Sequence, residues 1–136
     1  MVLGGGIGNI VQATPAIQAI SAEGHSVDLL LHCNSSKDLL EIFSIRAVRK
    51  IYLNTLGDLE HYDFQLNGPF TPAAKHPAKR HLRTRVNYAQ HIAEAEVYYD
   101  LARQIGVKTE MLDARINVGQ KGKTPDPNTI AIYPGS

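Results

Sequence analysis

Apolar and polar positions along the chain fall into blocks that switch between strand-like runs and helical stripes. Met1 to Leu3 is a short apolar run before glycine and reads as the surviving end of a first strand, truncated or unusually short. Ser26 to His32 (SVDLLLH) is a compact apolar strand, and Val48 to Leu53 is another, carried by Val48, Ile51, Tyr52 and Leu53. Between them Ser36 is placed to cap a short helix running to Phe43. Tyr62 to Leu66 (YDFQL) is a fourth strand, and the polar, proline-broken stretch from Asn67 to about Arg85 reads as a long loop. From Val86 to Ile105 the period becomes helical, with Tyr88, Ile92, Ala95, Tyr99 and Ala102 on one stripe and Gly106 as the stop.

Ala114 to Val118 is a further strand candidate, and 119–128 (GQKGKTPDPN) has the composition of a linker. Thr129 to Tyr133 (TIAIY) is an apolar strand running into Pro134, Gly135 and Ser136. The expected organisation is therefore one domain over 1–118, a linker over 119–128, and the first strand and turn of a second, truncated domain over 129–136. Strands alternating with helices through short connections predict an α/β fold, a Rossmann-like parallel sheet flanked by helices on both faces.

The turn after the first strand carries Gly4, Gly5, Gly6 and Gly8, and a helix follows it. Pro15 suits a first helical position with Thr14 as N-cap; alternatively the helix begins near Asn9 and kinks at the proline. Gly24 is its expected stop. A glycine turn between a strand and a helix gathers backbone N–H groups and the positive end of the helix dipole, which favours a phosphate or carboxylate. As a dinucleotide fingerprint it is poor: the third glycine position holds Asn9, and no acid stands at the end of SVDLLLH to bind a ribose, since Asp28 comes too early.

The net charge of +1 excludes a wholesale nucleic-acid binder, so any basic function is local. Between Asp63 and Glu94 there is no acidic residue, while Lys75, Lys79, Arg80, Arg83 and Arg85 fall close together beside His76 and His81. Such a segment is either a solvated basic surface or a site for an anion, which Arg and Lys hold through charge-assisted hydrogen bonds. Without interleaved aromatics it does not suit nucleic acid. His25, His32, His61 and His91 show no metal-ligand spacing and read as structural or surface residues. Cys33 is the sole cysteine, which removes an intrachain disulfide and makes a reducing cytoplasm the default. No apolar run approaches the roughly 18 residues needed to cross a bilayer, and MVLGGGIGN lacks the signature of a signal peptide.

The string from Gly6 to Ile20, GIGNIVQATPAIQAI, resembles the first loop and helix of glycosyltransferase family 9, the ADP-heptose:lipopolysaccharide heptosyltransferases. There a Gly-Asp pair is followed by apolar residues, then Thr-Pro-Ala and a helix. SVDLLLH, YDFQL, HIAEAEVYYDLARQIGV and TIAIYPGS resemble later elements of that family more loosely. The resemblance implies the N-terminal, acceptor-side half of a GT-B glycosyltransferase, in which sugar passes with inversion, heptose from ADP-heptose, to an anionic glycan or lipopolysaccharide-core acceptor. It places Gly6, Gly8, Lys75, Lys79, Arg80, Arg83 and Arg85 toward the acceptor, and Pro134, Gly135 and Ser136 on the donor diphosphate. The nucleotide sugar takes the place of a cofactor, no metal is called for, and the protein is expected in the cytoplasm, in peripheral contact with the inner membrane. Without the C-terminal donor domain this chain is expected to be inactive alone.

Asn9 departs from that pattern, because it stands where the family carries an aspartate base and an amide does not take the acceptor's proton. Another group does so, Asn9 only orients the acceptor, or transfer activity is lost. The alternative function is a non-catalytic module binding phosphorylated glycans, lipids or nucleotides.

Overall fold

The computed structural model describes residues 1–32, 47–55, 61–72, 76–86, 88–90 and 92–113. The expectations for Ser36 to Phe43, for Ala114 to Val118, for the linker and for Thr129 to Ser136 lie outside these residues. So do Cys33, Lys75, His91 and the three residues Pro134, Gly135 and Ser136.

The described chain runs β1 (Val2–Gly4), α1 (Ile7–Ala22), β2 (Val27–His32), β3 (Val48–Leu53), β4 (Tyr62–Asn67), β5 (Ala78–Arg83), a 3-10 turn (Tyr88–Gln90) and α2 (Glu94–Gln104). All five strands are parallel, in the order β3-β2-β1-β4-β5. This is the α/β, Rossmann-like arrangement that the alternating pattern predicts. Side chains alternate across each strand, so Leu3, Leu29, Leu31 and Leu66 share one face. On it Ile10, Ile17 and Ile20 of α1 and Tyr98 and Leu101 of α2 close the core. Burying each such side chain contributes roughly 1.5–3 kcal/mol. Both described helices pack against one another, so the expectation of helices on both faces is met here on one.

Three local expectations are corrected. Of the two starts expected for α1, the one at Thr14–Pro15 is corrected and the earlier one, near Asn9, holds: the helix begins at Ile7, and Pro15 lies inside it. Proline has no N–H for the Val11 carbonyl four residues back; the Thr14 hydroxyl donates to that oxygen instead, at 2.8 Å, and the helix continues. The stretch from Asn67 to Arg85 is not one loop, because Ala78–Arg83 is a strand that, among the described residues, stands at the edge of the sheet and pairs only with β4. Its sequence, AKRHLR, has no apolar run because an edge strand stays largely in water, and charged side chains there deter pairing with another chain. The long helix expected from Val86 begins at Glu94, and Ile92 of its supposed stripe is 41% exposed. Glu94 and Glu96 occupy the first turn, where the helix dipole favours acids. Both helices stop where expected, at the left-handed Gly24 and Gly106.

Strand β1 is half the length of its neighbours, so Val27 to Leu29 of β2 and most of β4 have no β1 residue in register. A cavity of about 500 Å³ fills that interval, lined by Met1, Asp28, Tyr62 and Phe64 among others. Beside it Asp28 is buried and accepts from Arg49 Nε at 2.9 Å, Arg49 Nη2 at 2.6 Å and the Tyr62 hydroxyl at 3.0 Å. Burial alone would raise the Asp28 pKa, but the hydrogen bonds from Arg49 and Tyr62 and the charges of Arg49 and the chain amine outweigh it and hold it below its ordinary value. The stability this carboxylate contributes is present above its unfolded pKa of about 4 and is lost as pH falls toward the lower folded value.

Arg49→Met is expected to cost about 2 kcal/mol at pH 7, less than for a fully enclosed pair because water screens the guanidinium. Its side chain is 46% exposed. Urea unfolding at pH 7 and pH 3 checks this: the gap between variant and parent should narrow at the lower pH, and equal stability at pH 7 would refute it.

Candidate functional site

In an open parallel sheet, ligands bind outside the carboxyl ends of the strands, where the strand order reverses. Here that point lies between β1 and β4, opposite in the sheet to the large cavity, which sits at the strands' amino ends. The loop after β1 and the loop after β4 meet there. A Cβ on Gly4 would run into the Phe70 carbonyl oxygen, so only glycine permits the two backbones to approach this closely. Gly5 has φ +83° and lies against the Asn9 side-chain amide. On the far side Gly68 packs on the Tyr98 ring, whose Cε1 lies 2.6 Å from where its Cβ would be.

Gly6 is the N-cap of α1, extended (φ −80°, ψ 176°), and no side chain caps the helix or places an acid in its first turn. Most orphan N–H groups of this first turn are thus left to a ligand or water, although the Asn9 backbone N–H returns to the Gly6 carbonyl at 3.1 Å. Gly6 and Gly8 are exposed, and open space lies where their side chains would be. The glycine turn between β1 and α1 therefore leaves the helix N-terminus open, as the sequence pattern leads one to expect of its geometry.

What the sequence reading missed is the carboxylate beside it. Turned so that its nitrogen faces Glu94, the Asn9 amide donates to Oε1 at 2.9 Å and Oε2 at 3.3 Å. Glu94 opens α2 and is half-buried; burial pushes its pKa up, while a nearby Tyr98 hydroxyl opposes the rise. The Tyr98 hydroxyl is itself buried and makes no hydrogen bond, and burial together with the Glu94 charge holds its pKa above the ordinary value. The signal for Glu94 was present, since it is the acid that ends the acid-free stretch after Asp63.

The basic cluster is not brought together. Lys79 pairs with Asp63 at 2.7 Å in full solvent, and this pair raises the Lys79 pKa and lowers that of Asp63. Arg80 points to the other face of β5 and lies over the Phe64 ring, 5.5 Å from its centre. Arg83, at the carboxyl end of β5, donates to the Thr71 carbonyl at 2.8 Å and is the one of these placed beside the strand-order reversal. Arg85 is exposed, two residues beyond β5. The long loop expected to present all of them to one ligand is replaced by a strand, which sends alternate side chains to opposite faces.

On the sheet face away from α1, Gln65 accepts from the His76 backbone N–H at 2.7 Å, lies 3.0 Å from His81 Nδ1, and donates to Asn67 at 2.7 Å. The Nε2 atoms of His32 and His76 are buried without a hydrogen-bond partner, and burial and then the nearby His76 hold the His32 pKa below its ordinary value. Among the described residues no three His, Cys, Asp or Glu side chains form a group able to hold a metal ion, and no helix is long and apolar enough to cross a membrane. Neither a protein-family model, nor a curated protein, nor a solved structure matches the chain.

Proposed function

We propose that this chain is the acceptor-side half of a GT-B glycosyltransferase, which transfers a sugar with inversion, heptose from ADP-heptose, to an anionic glycan or lipopolysaccharide-core acceptor. The observation that carries the reading is the open loop and uncapped α1 N-terminus at the strand-order reversal, with the Asn9–Glu94 pair in its wall. The resemblance over Gly6 to Ile20 falls on the same loop and helix. In this reading a phosphate or carboxylate of the acceptor sits on the exposed N–H groups beside Gly6 and Gly8, with Arg83 held on the Thr71 carbonyl in the neighbouring loop. The donor half lies in a second domain that Thr129 to Ser136 would open, and the protein works in the cytoplasm against the inner membrane surface.

A dinucleotide-binding reading is disfavoured because Asp28 is committed to Arg49 and Tyr62. A non-catalytic module gathering anions on one basic face is disfavoured by the division of Lys79, Arg80 and Arg83 between two faces of β5. Protein that includes this chain and its donor half, given ADP-heptose and a phosphorylated core acceptor, is expected to release ADP and extend the acceptor by one sugar, read by mass spectrometry. Failure to extend such an acceptor with any nucleotide-activated heptose would remove the reading.

A further inference from the structure

We propose that Glu94 is the general base of the transfer, its carboxylate held by the Asn9 amide at the mouth of the glycine loop so that it takes the proton of the acceptor hydroxyl. This rests on the transferase reading and supplies the group that Asn9 does not. An amide nitrogen has no basic lone pair, and here it is a donor spent on Glu94. A carboxylate offers about four acceptor positions, so the contacts from Asn9 leave others for a substrate hydroxyl.

The other described carboxylates near the sheet are engaged elsewhere. Asp28 is held by Arg49, Asp63 by Lys79, and Glu23 accepts from the Lys108 and Thr109 backbone N–H groups. Glu94 is the one beside the strand-order reversal. Three features of the fold keep it there. The first turn of α2 favours a negative charge. Gly5 fits against the Asn9 amide and leaves it little room to turn away from the carboxylate. Beneath, the buried Tyr98 hydroxyl lies beside the carboxylate and has no other partner. Burial of Glu94 also raises its pKa, which makes its carboxylate a stronger base.

In the step, the acceptor O–H proton passes to a Glu94 oxygen as the acceptor oxygen bonds to the anomeric carbon of a nucleoside-diphosphate sugar. The bond from that carbon to the β-phosphate oxygen breaks, and its electron pair leaves with the nucleoside diphosphate. The product is the inverted glycoside, and Glu94 returns its proton to water. Asn9 is a positioning residue in this scheme.

The test uses protein that includes this chain and its donor half, with ADP-heptose and a phosphorylated core acceptor as probes. Glu94→Gln keeps the shape and is expected to lower kcat about 1000-fold while KM stays within about threefold. Glu94→Asp, which keeps a carboxylate one methylene short, should retain more activity than the glutamine variant. Adding Asn9→Asp to Glu94→Gln puts a carboxylate back on the other side of the pair and should recover activity at least about tenfold. If the parent transfers sugar and Glu94→Gln stays within about fivefold of it, the base assignment is overturned and the transferase reading stands. If the parent transfers no sugar, both fall.

Discussion

Tyr98→Ala is expected to destabilise the domain by about 4 kcal/mol, among the largest losses a single truncation produces. Tyr98 is fully buried, and its ring joins α2 to the sheet through Gly68 while lying in the same core as Leu3 and Ile17. Truncation removes the transfer free energy of an aromatic ring and leaves a cavity that the backbone at Gly68 and the two helices cannot easily close. The hydroxyl is a separate matter. It has no hydrogen bond in the folded chain, so Tyr98→Phe should stay within about 1 kcal/mol of the parent. Urea unfolding of the two variants separates the ring from the hydroxyl. An alanine variant within 1 kcal/mol of the phenylalanine variant would mean that the ring is not the joint between α2 and the sheet. If Tyr98 also supports Glu94, the phenylalanine variant will fold normally yet show reduced transfer.

Strands β2, β3 and β4 were legible because each is an apolar or alternating run bounded by polar residues, and burial on the inner side of a parallel sheet demands that pattern. Strand β5 was not, because its pairing rests on backbone hydrogen bonds to β4 and its side chains make small individual contributions, such as Arg80 over Phe64 and Leu82 beside the core. An edge strand of this kind is specified by its neighbour more than by its own residues. The start of α1 stayed open between Pro15 and a point near Asn9 for a different reason: local rules place proline at the first turn, and the Thr14 hydroxyl serving Val11, with which the helix runs through Pro15, is a contact that only the folded helix reveals. At the candidate site, the glycines and Asn9 were visible as a motif, since they lie within six residues of one another. Glu94 lies 85 residues from Asn9 in the chain and meets it only because α2 returns to pack against α1. Spacing arguments do not reach across such a separation, and the charge pattern shows Glu94 only as the end of an acid-free stretch, without giving it a role.

Gly4→Ala should be the most damaging substitution in the glycine loop, costing about 3 kcal/mol or more. The added methyl would meet the Phe70 carbonyl oxygen at an impossible distance, the Phe70 carbonyl carbon at 2.9 Å and the Thr71 Cα at 3.3 Å. All three are backbone atoms, so no side-chain rotation relieves the clash and the loops after β1 and β4 must separate. Gly8→Ala is the informative contrast. Nothing lies within 4 Å of its added methyl, and within α1 alanine is the better helix former, so stability should hold or rise by about 0.5 kcal/mol. Thermal unfolding of the pair tests the contact: equal stabilities would mean that the two loops do not approach as closely as the Gly4 backbone implies. Position 8 then reports on the ligand without interference from the fold. A Gly8→Ala protein that unfolds no earlier than its parent and yet transfers sugar poorly would show that the open space above the α1 N-terminus is occupied by substrate during turnover.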